Sequence, residues 1–230
     1  MISIHFECED FLVAVKDAGI DFHDSEQGEG FFTQLKKQFP KEKLFPVHRL
    51  DKVTSGLILA AKNLDACNEL NRLFKDHLIE KYYVAISDRK PKKKQGWVIG
   101  DMDRSRRKTW KLLTTKSNPA ITQFFSTSIG PNLRAFLLRP HTGRTHQLRV
   151  AMKSLGSPIC GDEIYYPDTQ SKGESRCYLH AYALKFDLNG VQYEFTFKSN
   201  EEALFGLDVF KELLGGAWLK PWGINWPGRK

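Results

Sequence analysis

Two stretches of the sequence place chemically capable side chains close together: His48-Arg49-Leu50-Asp51-Lys52-Val53-Thr54-Ser55-Gly56, and Arg139-Pro140-His141-Thr142-Gly143-Arg144-Thr145-His146-Gln147-Leu148-Arg149. The first offers one carboxylate, Asp51, between cationic neighbours, and the second a glycine turn and further arginines. A carboxylate near guanidinium groups stays ionised, because opposite charge favours its charged form. It can then act as nucleophile or base; the plainer alternatives are that Asp51 caps a turn or pairs with Arg49. His48, His141 and His146 lack a Ser or Cys with a partner acid, so the pattern of an activated hydrolase nucleophile is missing. His146 reads instead as a helix-start residue bracing its loop.

The charge distribution says what such a carboxylate would meet. The chain has 230 residues and a net charge of +8. Between Lys81 and Lys116 twelve Lys and Arg stand against Asp88, Asp101 and Asp103, so this one segment holds more than the whole surplus. A patch of that kind suits phosphates, and its bland alternative is a solvated loop. One carboxylate among arginines in a basic protein points to covalent chemistry on a nucleic acid. Cys8, Cys67, Cys160 and Cys177 show neither Cys-x-x-Cys nor Cys/His ligand spacing, which argues against a zinc site or a disulfide framework. No apolar run approaches the ~18 residues of a membrane span, and no targeting segment is recognisable. A reducing cytoplasm is the expected location.

The elements that must position these residues can be read from periodicity. Phe11 to Val15 predicts a strand, Phe31, Phe32, Leu35 and Phe39 a helix ended by Pro40, and Leu57 to Ala61 a buried strand directly after the first motif. Asn63 to His77 predicts a helix with Ala66, Leu70, Leu73 and Phe74 on one face. Tyr82 to Ile86, Ile121 to Ile129 and Leu133 to Leu138 read as strands, the last two joined by a turn at Gly130-Pro131-Asn132. Thr145 is the expected N-cap of a helix ended by Gly156 and Pro158. Arg149, one turn on, should then project beside the preceding loop. Asn189-Gly190 predicts a hairpin between Ala181–Leu188 and Val191–Phe197. Ala203 to Leu214 is a final amphipathic segment before a tail with Trp218, Trp222 and Trp226. No repeat or linker splits the chain, so one α+β domain is expected, a mainly antiparallel mixed central sheet flanked by helices and loops.

The ordered segments HRLDKVTSGLIL, KYYVAI, SNPAITQF, LRPHTGRTHQLRVAMKSLGSPICGDEIYY and LHAYALKF resemble the signature of the RluA-type RNA pseudouridine synthases, from about residue 10 to about residue 200. The resemblance implies the pseudouridine synthase fold and isomerisation of uridine to pseudouridine in structured tRNA or rRNA, with no cofactor and no metal. The C1′–N1 bond breaks, the base turns, and C5 takes the link. Asp51 matches the catalytic aspartate, whether it attacks the sugar, attacks the base or takes a 2′ proton. Arg49 matches the arginine that enters the space left by an extruded base, Tyr83 the tyrosine that stacks on that base and handles a late proton, and Arg149 the arginine paired with the carboxylate. Arg144 organises its loop or touches phosphate. Lys81, His48 and Thr54 complete the expected substrate-contacting set.

Two departures stand out. Lys16-Asp17-Ala18-Gly19 replaces the family's Lys-Pro-x-Gly, and the part beyond residue 200 has no counterpart. The expected protein is a monomer of one catalytic domain with that C-terminal extension, no membrane partner and no S4-type RNA-binding domain. Its rivals are a noncatalytic RNA-binding protein that keeps the fold, and a glycosidase-like hydrolase, which needs two carboxylates where the motifs supply one.

Overall fold

A computed structural model describes residues 1–106, 109–166, 174–200 and 203–228. Arg107 and Lys108 of the basic segment lie outside them. Within the described residues twelve strands and four helices follow in the order β1 Ser3–Glu7, β2 Phe11–Lys16, α1 Phe31–Gln38, β3 Phe45–Pro46, β4 Ser55–Ala61, α2 Leu64–Lys75, β5 Glu80–Ser87, β6 Gln95–Gly100, β7 Met102–Arg104, β8 Trp110–Leu112, β9 Ala120–Gly130, β10 Leu133–Pro140, α3 Gln147–Ser154, β11 Leu179–Leu188, β12 Val191–Thr196 and α4 Asp208–Gly215. Ten strands form one sheet along the path β1-β2-β4-β11-β5-β10-β9-β6, with β12 on β11 and β3 on β4. β7 and β8 make a separate two-stranded sheet. Among the described pairings only β11 with β4 is parallel, so the α+β, mainly antiparallel expectation is borne out.

β2 and β4 are buried along their whole length because both faces are covered. Side chains alternate along a strand: Phe11, Val13, Leu57 and Leu59 meet Ala66, Leu70 and Leu73 of α2, while Leu12, Ala14, Ile58 and Ala60 meet Phe31, Phe32 and Leu35 of α1. A third cluster joins β5, β9 and β10 to α3, α4 and the tail. There Tyr82 is wholly buried against Trp222 and Trp226, on the face of β5 opposite Tyr83. The tail tryptophans pack; Trp226 also lies against Phe125.

Some expectations are corrected. Thr145 does not cap α3. The N-cap is His146, in left-handed backbone at φ 57° with no side-chain cap bond. The turn is organised from inside the helix by Gln147: its Oε1 accepts from Thr142 Oγ1 at 2.8 Å and from the Arg144 N–H at 3.0 Å, and its Nε2 donates to Ile121 O and Thr122 Oγ1 at 3.0 Å. The amphipathic segment 203–214 breaks into a 3-10 turn, Ala203–Gly206, and α4. β1, β3 and β6 to β8 were not anticipated.

Candidate active site

The loop from Val47 to Thr54 is held from three sides. His48 Nε2 accepts the Leu59 N–H at 2.8 Å, and its ring stacks on Phe74 at 4.7 Å. Burial, reinforced by Lys81, pulls its pKa down to about 3, so the imidazole is neutral, as an acceptor must be. At the far end Thr54 is buried and its N–H donates to the Asp51 carbonyl at 3.0 Å, closing a turn. Underneath, the wholly buried Lys16 donates from Nζ to the carbonyls of Asp17 at 2.8 Å, Lys52 at 3.1 Å and Thr54 at 2.9 Å. Burial lowers its pKa to about 8, with Arg176 adding to the effect. These bonds leave the Asp51 side chain 28% exposed on a fixed backbone.

α3 delivers the counter-charge. Arg149 is 2% exposed, and its Nη1 lies 3.7 Å from Asp51 Oδ2. Its Nε and Nη2 clamp the carboxylate of Asp162 at 2.7 and 2.8 Å. Burial opposes the guanidinium charge, but the Asp162 bonds outweigh it and raise the pKa above the ordinary arginine value. Asp162 also accepts the N–H groups of Ile164 and Tyr165 at 3.0 and 3.1 Å. Gly161 places it with φ +73°, where a Cβ would sit 1.7 Å from the Arg176 carbonyl oxygen. A second carboxylate therefore stands near the site, outside both motifs. It is wholly buried with both oxygens engaged, so it cannot serve as the second acid of a glycosidase.

All eight residues singled out from sequence, His48, Arg49, Asp51, Thr54, Lys81, Tyr83, Arg144 and Arg149, line one cavity of about 600 Å³. Among its described lining residues Asp51 is the only carboxylate, facing Arg49, Lys75, Lys81, Arg144 and Arg149. Arg49 is exposed and makes no ion pair with Asp51, which disposes of its counter-ion reading. Tyr83 comes from β5; burial first and the Asp51 charge second push its phenol pKa up, so it stays neutral. Lys81 sits over the Phe74 ring at 5.6 Å, its pKa lowered by burial. Arg144 donates to the Asn118 side-chain oxygen, and the Asn118 backbone N–H in turn donates to Asp101 at 2.8 Å. An adjoining hollow of about 740 Å³ shares Arg49, Asp51, His146 and Arg149 but adds Asp21, Asp24, Glu163 and Glu174. Of the two, the first is the one whose charge suits a polyanion.

Behind the loop, Ser55 Oγ lies 2.7 Å from His180 Nδ1 and accepts from Arg176 Nη2 at 2.7 Å, while His180 Nε2 lies 2.9 Å from the Phe197 carbonyl oxygen. Ser55 and His180 are buried, so this pair braces β4 against β11. Lys16, Asp162, Gln147 and the Ser55–His180 pair were missed from sequence. The acid beside Gly161 in ICGDEIYY was the one visible signal.

A family model for RNA pseudouridylate synthase matches residues 10–154. An RNA pseudouridine synthase from Haemophilus influenzae is 51% identical over 186 residues, 81% of this chain and 82% of that protein. The dual-specificity RNA pseudouridine synthase RluA of Pasteurella multocida is 34% identical over 189 residues, 80% of this chain and 85% of that one. The solved structure of human RNA pseudouridylate synthase domain containing 1 superposes with a TM-score of 0.71 at 27% identity, covering 86% of this chain and 84% of that chain. With the motifs gathered in one cavity and these relatives matched over most of its length, the chain belongs to the RNA pseudouridine synthases, isomerases that act on RNA.

Proposed function

We propose that the 600 Å³ cavity takes a uridine swung out of a structured tRNA or rRNA, and that Asp51 is the group that reacts with it. The observation that carries this reading is the pairing of a lone, partly exposed carboxylate with a buried, permanently charged arginine in an otherwise cationic cavity. Isomerisation exchanges the C1′–N1 bond for C1′–C5 and moves one proton from C5 to nitrogen. No atom is gained or lost, so no co-substrate is required.

A stacked or paired uridine shows a side chain neither C1′ nor C5, which makes extrusion a precondition. Arg49, exposed beside Asp51, fills the vacated stack. Tyr83 supplies a neutral ring for the base, while Arg144, Lys75 and Lys81 take backbone phosphates at the rim. The protein works as a monomeric single-domain enzyme in the cytoplasm; no helix among the described residues is long and apolar enough to cross a membrane. Incubation with bulk tRNA and rRNA lacking pseudouridine, followed by mass-labelling, tests the reading. New pseudouridine with the wild type and none with Asp51→Asn is the expected result. Tight RNA binding without product in the wild type would favour a noncatalytic RNA-binding protein.

A further inference from the structure

Among the described residues, one bond from the hairpin β7–β8 to the body leads to the site. At its base the Leu113 N–H donates to the Asp101 carbonyl at 2.8 Å. Farther along, the Trp110 N–H donates to the hydroxyl of Tyr165 at 2.9 Å. That hydroxyl also lies 2.9 Å from His146 Nδ1. Burial lowers the pKa of His146, so a neutral ring meets the hydroxyl across this contact. The Tyr165 ring lies against Arg149, 5.0 Å from centroid to guanidinium, and the Tyr165 N–H holds Asp162, the carboxylate that clamps Arg149. One buried side chain thus touches the hairpin, the first turn of α3 and the arginine that faces Asp51.

We propose that Tyr165 is a positioning residue that couples the seating of the basic hairpin to the alignment of Arg149 against Asp51, so that RNA gripped by Arg104 and Arg106 completes the site. This rests on the reading that the cavity and the basic segment receive RNA. At 3.7 Å the Arg149–Asp51 contact is longer than a charge-assisted hydrogen bond and has room to tighten. A small displacement of Trp110 reaches Arg149 through a single rigid ring. His146, in backbone that a non-glycine residue keeps only when its surroundings dictate it, holds the other side of the same hydroxyl.

The test separates affinity from chemistry in the full chain. RNA affinity and single-turnover rate at saturating RNA are measured for the wild type, Tyr165→Phe, the double variant Arg104→Gln/Arg106→Gln, and all three changes together. Phenylalanine keeps the ring over Arg149 and removes only the hydroxyl. Tyr165→Phe should bind RNA within about twofold of the wild type while its saturating rate falls about tenfold. The arginine changes should lower both affinity and saturating rate in the wild-type background, but affinity alone in the Tyr165→Phe background. An equal loss of saturating rate in both backgrounds overturns the coupling. Unchanged affinity of the double arginine variant instead overturns RNA contact by the hairpin, so the two failures are distinguishable. Should Tyr165→Phe fail to fold, replacing residues 102–112 by two glycines across the short Asp101–Leu113 gap gives the second measurement. That variant should turn over about tenfold below the wild type at saturating RNA, and a wild-type rate there overturns the proposal.

Discussion

Arg149 Nη1 stands 3.7 Å from Asp51 Oδ2 while the rest of the same guanidinium is bound bidentately to Asp162. The arginine is fixed by one carboxylate and offered to the other. Asp51→Asn should keep RNA affinity and lose turnover by ~10⁴-fold or more, measured under single-turnover conditions. Asp162→Asn should act first on stability: breaking a buried pair costs about 3–5 kcal/mol, a fall in Tm on the order of 10 °C at this size. An unchanged Tm would show that Arg149 is held by other contacts.

Arg49 is exposed beside Asp51 without being its ion-pair partner. If it occupies the gap left by the departing base, Arg49→Ala should slow modification of a stem-loop at least about tenfold. A short unstructured oligonucleotide, which has little stacking to lose, should change by no more than about twofold. Comparable losses on both substrates would assign Arg49 to the chemical step.

The basic segment divides in space. The exposed Lys92, Lys93 and Lys94 lie at the end of α3 remote from the site, where the Lys92 N–H meets the Leu155 carbonyl oxygen at 3.0 Å. Arg104 and Arg106 lie on the hairpin that touches Tyr165. Neutralising those two arginines should flatten the slope of log affinity against log salt by roughly 1.5, at about 0.7–0.9 per contact. Neutralising the three lysines should change it less. The reverse order, read from binding titrations at several salt concentrations, would place the RNA along residues 89–94 instead.

His180 is 1% exposed, and burial lowers its pKa from 6.5 to about 4. The unfolded chain therefore binds this proton more readily than the native one, and stability falls with falling pH between about 6.5 and 4. His48, lowered to about 3, acts in the same direction. Thermal melts at half-unit steps should show Tm dropping from pH 6.5 to 5, before ordinary carboxylates titrate. His180→Gln should be less stable at pH 7.5 but show a flatter profile. A wild-type Tm constant over that window would mean that His180 is charged in the native state.

Periodicity carried the sandwich of β2 and β4 between α1 and α2, because the alternation that buries both strand faces is written in consecutive residues. It could not carry β6 or the β7–β8 hairpin: Gly96 and Gly100 dilute the strand signal, and charges surround it. Chemistry was legible at Asp51, which its own motif sets among cationic neighbours, whereas the pairing of Arg149 with it came through the family resemblance. It was illegible where a side chain is defined by a distant partner. Lys16 looks like a strand end entering a turn until the carbonyls of Lys52 and Thr54 are found around it. Thr145 had the better capping chemistry, yet Gln147 already satisfies the turn from within, and the helix starts two residues later.

The position of β11 sets whether a site can exist at all. This strand lies between β4, which follows Asp51, and β5, which bears Tyr83. It approaches β4 so closely that a Cβ on Gly56 would fall 2.3 Å from the Ala181 carbonyl oxygen. Asp51, Tyr83, Arg149 and Asp162 all precede β11 in the chain, yet without that strand β4 and β5 would each present an unpaired edge. The strands that carry the two halves of the site are therefore joined across the sheet by residues 179–188, which come more than ninety residues after the later of them in sequence.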